Sequence, residues 1–471
     1  MMTLGPKEPT FRGKAMVEFC LDVRRLTFDD AVLDMVRRTF LDYLGCTLSG
    51  SNDPSTVAVR KTVSSWGVAG RASVLGAFDT LPALAALVNA TAAHSQDLDD
   101  TLPKGAGHPS GPCWSAAIAV AQQEGSDAKT MVAAYIAGFE IMARLGGGGP
   151  DGVGRNLQRV GYHPTAVVGR VGATAIGSVL YNLDHVQTAN AFGAVATTFS
   201  GFQSSHGTDA KPFHVGKAAM DGIIAAQLAS HGLSANTGFY EREGENWLAM
   251  LIQDGRIGEI PPMSDLGHEW HMFGNAFKLY ASCRATHASS EGAMQLREQL
   301  KHKKITSVVA RTASNVLAMA GFRDPKTPTE ARFSIYFCVA MALAGYKLGP
   351  EDFSPETLQD PLVRAILPTI QIEPSKDIPY REAFLTVTTD DGAVYRSHIP
   401  ARKGDPENPL SWDELEQKFA SLTTPRYGTF VSRELAYLAR RIDEDGALKE
   451  VVRLLQGSGR QPASTQPPLS Q

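Results

Sequence analysis

The chain has 471 residues, 43% of them hydrophobic and 20% charged, with a formal net charge of −4. That length exceeds one ordinary core and predicts two domains of a soluble globular protein. The small net charge, without any Lys/Arg block, argues against nucleic acid or a membrane surface as partner; five scattered cysteines without a C-x-x-C argue against a structural zinc site or a disulfide framework, and point to the cytoplasm.

The opening stretch MMTLGPKEPTFRGKAMVEF lacks the apolar core and small-residue cleavage site of a signal peptide. LTFDDAVLDMVRRTFLDYLGCTLSG then reads as a helix. Thr27 followed by Asp30 is a capping pattern, and Val32, Leu33, Val36, Phe40, Leu41 and Leu44 share one apolar face. The apolar run LPALAALVNATAA leads into HSQDLDDTLPKGAGHPSG, residues 94–111. SDAKTMVAAYIAGFEIMARL is a helix starting at Ser126 or Asp127 and stopped by four glycines. Those glycines follow a helix and lack a G-K-[ST] or G-x-G-x-x-G context, so they read as a helix stop and loop. HPTAVVGRVGATAIGSVLYNL is interrupted by Arg170 and reads as a buried helix instead of a membrane span. KAAMDGIIAAQLASHGL ends at Gly232, a left-handed cap. The Ala and Gly content of these helices predicts a close-packed bundle, buried on more than one side.

Near residue 265 the composition shifts. KKITSVVARTAS and AFLTVTTDDGAVYRSHI are rich in β-branched residues, and Asp391-Gly392 is a hairpin signal. The helix TEARFSIYFCVAMALAGY lies between them. SWDELEQKFASL and VSRELAYLARRIDEDGALKEVVRLL return to amphipathic helix, placed to rejoin the first domain. The expected layout is mainly α: helical domain 1–267, a smaller α+β domain 268–398, helical again 399–456, and a disordered tail 457–471.

Three aspartates and two histidines crowd residues 94–111. Clustered carboxylates suit Mg²⁺ or Mn²⁺, and also helix capping or proton transfer. Asp97-Leu98-Asp99-Asp100 spells D-x-D-D, as in terpene cyclases; such enzymes need an aromatic-lined cavity, and 8% aromatics with 5 Trp argue against one. Three further polar islands stand before helices: His163, then Lys211 with His214, then Lys278 with Arg284 and His287. A basic side chain at a helix start is opposed by the helix dipole unless an anion sits there. Each island alone has a bland explanation, a packed core histidine or a solvated lysine. Their repetition points to one anionic ligand.

HSQDLDDT with HPSG, GYHPTAVVG, KPFHVGKAAMDG, KLYASCRATHA and ARFSIYFCVAMAL, in this order, resemble the MmgE/PrpD family from about residue 15 to about 455. The family includes 2-methylcitrate dehydratases, cis-aconitate decarboxylases and an iminodisuccinate epimerase. The resemblance implies a large all-helical domain made from both ends of the chain, an inserted smaller α+β lid domain, a site between them, a homodimer, and neither cofactor nor metal. It implies catalytic positions at Asp97, Thr101, His108, His163, Lys211 and Lys278, with Arg284 as a carboxylate-binding arginine. Two departures stand out. Thr101 and His108 lie one residue farther apart than in vertebrate decarboxylases, and Phe337 takes the place of a lid-helix tyrosine, with Tyr336 beside it.

The reactions implied all make or use a carbanion next to a carboxylate, stabilised by fixed positive charge. His108 and His163 are then the proton-transfer pair. Asp97, toward which the Gly/Pro turn folds His108, orients one of them; Thr101 positions substrate; Lys211, Lys278 and a bidentate Arg284 bind carboxylates. His214, His287 and Tyr336 are further candidates for substrate binding, and Asp99 and Asp100 are assigned to structural support. The substrate expected is a small polycarboxylate. Dehydration of a 2-methylcitrate-like hydroxy acid leads, then decarboxylation of a cis-aconitate-like acid, then epimerisation of an imino- or amino-dicarboxylate; a ligand-binding or scaffold protein on the same fold is the non-enzyme alternative. The loops GGGGPDGVGRNLQRV and FYEREGENW are expected to set the pocket's size and apolar wall.

Overall fold

The computed structural model describes residues 12–458, apart from 106, 239, 241–246, 259 and 262. The protein is mainly α. Residues 459–471 of the expected tail, and most of the FYEREGENW loop, lie outside the described residues.

The bundle is built on helices Pro82–His94, Ser110–Glu124, Ala128–Leu145, Pro164–Leu180 and Ala210–Ser230. Every residue of Pro82–His94 and of Pro164–Leu180 is buried, so neither has a solvent face. Small residues make this possible. A Cβ on Gly216 would lie 2.2 Å from Thr91 Oγ1 and 2.3 Å from the Leu87 carbonyl oxygen, so only glycine lets helices 82–94 and 210–230 approach this closely. Capping follows the sequence with one shift. Helix Asp30–Ser49 is capped by Asp29, which accepts from the Val32 amide, in place of Thr27. Asp127 caps Ala128–Leu145, whose end runs into the 146–149 glycines. Gly232, at φ +92°, follows Ala210–Ser230.

A four-stranded sheet carries the second core. Strand Ile305–Ala313 lies centrally, parallel to Ile370–Ser375 on one side and antiparallel to Ala383–Thr389 on the other, with Val394–Ile399 at the far edge. Gly392, at φ +79°, turns the expected hairpin. The strand 370–375 and a small hairpin, 72–73 with 79–80, escape sequence reading because each is too short for a period-2 pattern. Helices His287–Leu296 and Ile335–Ala344 pack on the sheet. The single helix expected across residues 329–346 is broken. Ser334 stands in extended backbone and accepts from the Phe337 amide, so the helix begins anew at Ile335.

Helix Trp412–Ala439, kinked at Gly428 (φ +75°), returns to the first bundle. Lys418 Nζ lies 2.6 Å from Asp42 Oδ1 and donates to the Leu98 carbonyl oxygen at 2.9 Å; Arg37 pairs with Asp443 at 2.6 Å. Leu98 and Leu422 belong to the second hydrophobic cluster, so the loop after His94 touches both cores.

Candidate active site

A small cavity lies where the two cores meet. The 94–111 stretch forms one wall. Helix 82–94 ends at His94, and Asp97 then takes a left-handed φ of +52°, uncommon for a residue other than glycine and tolerated best by Asn and Asp. That turn sends the Asp97 carboxylate to two ammonium groups. Lys211 Nζ is 2.5 Å from Oδ1 and Lys278 Nζ is 3.1 Å from Oδ2; Lys278 also donates to the Asp97 carbonyl oxygen at 2.7 Å. Burial would raise the Asp97 pKa, but the two lysines outweigh it and hold the carboxyl well below its usual range.

The carboxylate that reaches His108 is that of Asp99, two residues on from the expected Asp97. Both Asp99 oxygens lie 2.9 Å from His94 Nδ1, and one lies 3.4 Å from His108 Nδ1. His108 Nδ1 also donates to the Asp100 carbonyl oxygen at 2.8 Å. On its other side, His94 Nε2 accepts from Lys211 Nζ at 2.6 Å. This network assigns the His94 proton to Nδ1 and keeps the ring neutral. Burial, with Lys211 adjacent, lowers its pKa to about 3. Burial would raise the Asp99 pKa, but its contacts with the two histidine rings lower it instead. Asp100 folds the loop shut: its carboxylate accepts from Ser110 N (3.1 Å), Ser110 Oγ (2.5 Å) and Asn275 Nδ2 (2.6 Å). Burial, with Asp42 and Asp99 nearby, pushes its pKa up to about 7. Thr101 lines the cavity, its hydroxyl donating to the Gly107 carbonyl oxygen at 3.2 Å.

Beside it stands a second group of imidazoles. His163 is the N-cap of Pro164–Leu180 and contributes no side-chain cap bond. Its ring stacks on His94 with centroids 5.7 Å apart, and packs against His206 at 5.4 Å and His214 at 5.7 Å. Nδ1 of His163, Nε2 of His206 and Nδ1 of His214 are buried without a hydrogen-bond partner among the described residues. Burial, then the charge of Lys211, lowers all three pKa values: His163 well below the ordinary histidine value, His206 to about 3, His214 to about 4.

Of the sequence candidates, Asp97, Thr101, His108, His163, Lys211, Lys278 and Arg284 line the cavity. The other three stand outside the lining. His214 lies behind His163, one helical turn after Lys211. His287 is buried behind Arg284, accepting from Nη1 at 3.0 Å and donating to the Ser282 carbonyl oxygen at 3.1 Å. Tyr336 is buried in the second cluster under Arg323; the tyrosine that lines the cavity is Tyr380, from the segment before strand 383–389. Arg284 does not offer a free fork. Nη2 pairs with Asp405, which Arg402 also holds, and Nη1 is occupied by His287, leaving Nε unpartnered.

Sequence reasoning missed Arg155, Gln158, His206, Cys283, Met319, Phe333 and Tyr380 in the lining, and His94 just behind it. His94 carries a local signal, five residues before Asp99 at the end of an apolar helix. Arg155 and Gln158 come from the loop expected to set an apolar wall; their side chains are polar. The atoms of His94, Asp99 and His108 stand close enough for one cation to reach all three, but they already bond one another, and Lys211 sits on the far nitrogen of His94.

No helix among the described residues is long and apolar enough to cross a membrane. The family model described as the MmgE/PrpD N-terminal domain matches residues 14–258, and the MmgE/PrpD C-terminal domain matches residues 280–444. The chain is similar to the cis-aconitate decarboxylase of Homo sapiens, 27% identical over 458 residues that cover 93% of this chain and 92% of the relative. The cis-aconitate decarboxylase of Mus musculus is 25% identical over 460 residues, covering 93% and 91%. That of Aspergillus terreus (strain NIH 2624 / FGSC A1156) is 28% identical over 315 residues, covering 63% of each chain. Both domain models match in order across most of the length: the chain belongs to the MmgE/PrpD family, as a lyase.

Proposed function

We propose that this lyase decarboxylates a cis-aconitate-like tricarboxylate without a cofactor. The observation that carries the reading is the convergence of His108, His163, Lys211 and Lys278 on one cavity, with Asp97 neutralising only part of the lysine charge. The similar decarboxylases move the balance from dehydration, the leading expectation from sequence, to loss of CO₂.

In this reading Lys211, Lys278 and the cavity-facing edge of Arg284 hold substrate carboxylates. The bond from carbon to one carboxylate breaks and CO₂ leaves. The electron pair spreads into the conjugated double bond and a remaining carboxylate, where fixed ammonium charge stabilises it. A proton then goes to carbon. His108 is suited to deliver it: Asp99 and the Asp100 carbonyl engage Nδ1 and leave Nε2 as the transferring nitrogen. His163, held neutral by burial and by Lys211, is suited to accept a proton or a hydrogen bond. Asp97 spaces the lysines, and Thr101 positions substrate. The second core, residues 268–398, acts as an inserted lid over the helical domain, and the working unit is a homodimer in the cytoplasm.

The test is proton NMR in D₂O with citrate, 2-methylcitrate, cis-aconitate and iminodisuccinate. CO₂ loss from cis-aconitate with deuterium on carbon is expected. New vinylic signals from a hydroxy acid alone would replace this reading with dehydration, and exchange with inversion alone would replace it with epimerisation.

A further inference from the structure

Among the described residues five arginines are buried: Arg144, Arg170, Arg284, Arg332 and Arg402. Each has a carboxylate within 4.0 Å: Glu140 and Asp265, Asp221, Asp405, Asp53 and Asp405 respectively. This is what the cost of a desolvated guanidinium requires, since arginine cannot shed its proton. Arg155 breaks the pattern. It is half-buried on the short helix Val153–Arg159, and no carboxylate pairs with it among the described residues. Its neighbours are neutral: Nη1 donates to Gln158 Oε1 at 2.8 Å, Nη2 reaches the Pro103 carbonyl oxygen at 3.4 Å, and the guanidinium lies 5.1 Å from the Tyr380 ring centroid.

Its position is as telling as its lack of a counter-ion. Pro103, Arg155 and Tyr380 line both the inner cavity and a larger outer hollow, so they form the rim between the two. The outer hollow is also cationic. In its lining Arg381 pairs with Glu407 and Arg402 with Asp405, while Lys104 and Arg155 have no acid partner among the described residues.

We propose that Arg155 is the carboxylate receptor at the mouth of the site, taking the substrate carboxylate farthest from the reacting carbon and so selecting tricarboxylates over smaller acids. The proposal rests on the polycarboxylate reading above and adds a specificity residue to it. A guanidinium beside the Tyr380 ring and steadied by Gln158 is a planar donor without a counter-charge, the shape a carboxylate matches. Neither Lys211 nor Lys278 can do this, because an ammonium is a point charge without a planar fork.

The test uses binding, so it does not depend on turnover. Affinities of the full chain for tricarballylate and for its terminal monoamide are measured by calorimetry, for wild type, Arg155→Met and Arg155→Lys. Wild type is expected to prefer the tricarboxylate by about 10- to 100-fold, the range of one charge-assisted pair. Arg155→Met is expected to abolish the preference, and Arg155→Lys to restore part of it. A preference equal in wild type and Arg155→Met overturns the proposal, as does wild type binding both ligands alike. If Arg155→Met fails to fold, Arg155→Lys decides: an undiminished preference there contradicts the need for a planar fork. If the preference behaves as expected while no acid in the NMR panel turns over, the lyase chemistry proposed above fails and this inference stands.

Discussion

The wall of the cavity built by residues 94–108 and the wall built by His163 and His206, with His214 behind them, carry the same imidazole side chain with different hydrogen bonding. On the first, each His94 and Asp99 heteroatom has a partner, and His108 Nδ1 has two acceptors. On the second, each of the three rings keeps one buried nitrogen without a partner among the described residues. A satisfied network fixes tautomers and charges before substrate arrives. Buried nitrogens without partners disfavour the charged ring. The first wall thus holds His108 in a fixed orientation, and the second remains neutral beside the lysines.

Replacing His108 by Gln sharpens this contrast most. It should lower kcat by about 10²- to 10⁴-fold while circular dichroism and the unfolding midpoint stay near those of wild type. If His163→Gln matches that loss and His108→Gln does not, the roles of the walls are reversed. Asp97→Asn comes next. It leaves the buried ammonium groups of Lys211 and Lys278 facing one another without a counter-charge, and should cost about 3–5 kcal/mol in urea unfolding.

Acid should act on the second wall and on His94. Their folded pKa values are lowered, so the unfolded chain binds more protons below the ordinary histidine value, about 6.5. Their contribution to stability is complete above that pH and is lost as pH falls toward 4 and below. Each fully buried ring, His94 and His163, adds a slope of up to about 1.4 kcal/mol per pH unit. Asp100 and Glu291, both pushed up to about 7, work against this, because their folded forms bind the extra proton. The four lowered rings outnumber them, so unfolding midpoints measured from pH 8 to pH 4 should show a net fall below about pH 6.5, and a steady rise on acidification contradicts the assignment. The smallest effects should come from His214→Ala, which removes a ring outside the lining and should change kcat/KM by less than about threefold, within one bland surface-type substitution. EDTA should leave the rate unchanged, because the His94, Asp99 and His108 ligand atoms are engaged with one another.

The seven lining residues legible in the sequence sit in short polar islands beside helix ends, where one-dimensional neighbours stay neighbours in space. Asp97 and Asp99 show the limit of such reading. Two residues apart, they face opposite partners because Asp97 adopts a left-handed backbone, which the letters D-L-D do not reveal. Phe333 reaches the cavity through the break at Ser334 and Tyr380 through the packing of the second core; Tyr336 is nearer to the serine along the chain but not to the cavity. Helix 82–94 was legible as apolar, but its burial on all sides depends on Gly216 of a helix more than a hundred residues away.

Turnover of cis-aconitate in D₂O, wild type beside His108→Gln, with CO₂ and carbon-bound deuterium counted together, tests the account most directly. The account predicts one CO₂ and one deuterium per product in wild type, and both falling together by at least about a hundredfold in the variant. Wild-type protein that leaves every carboxylate of cis-aconitate in place, or a variant that releases CO₂ at the wild-type rate, would contradict it.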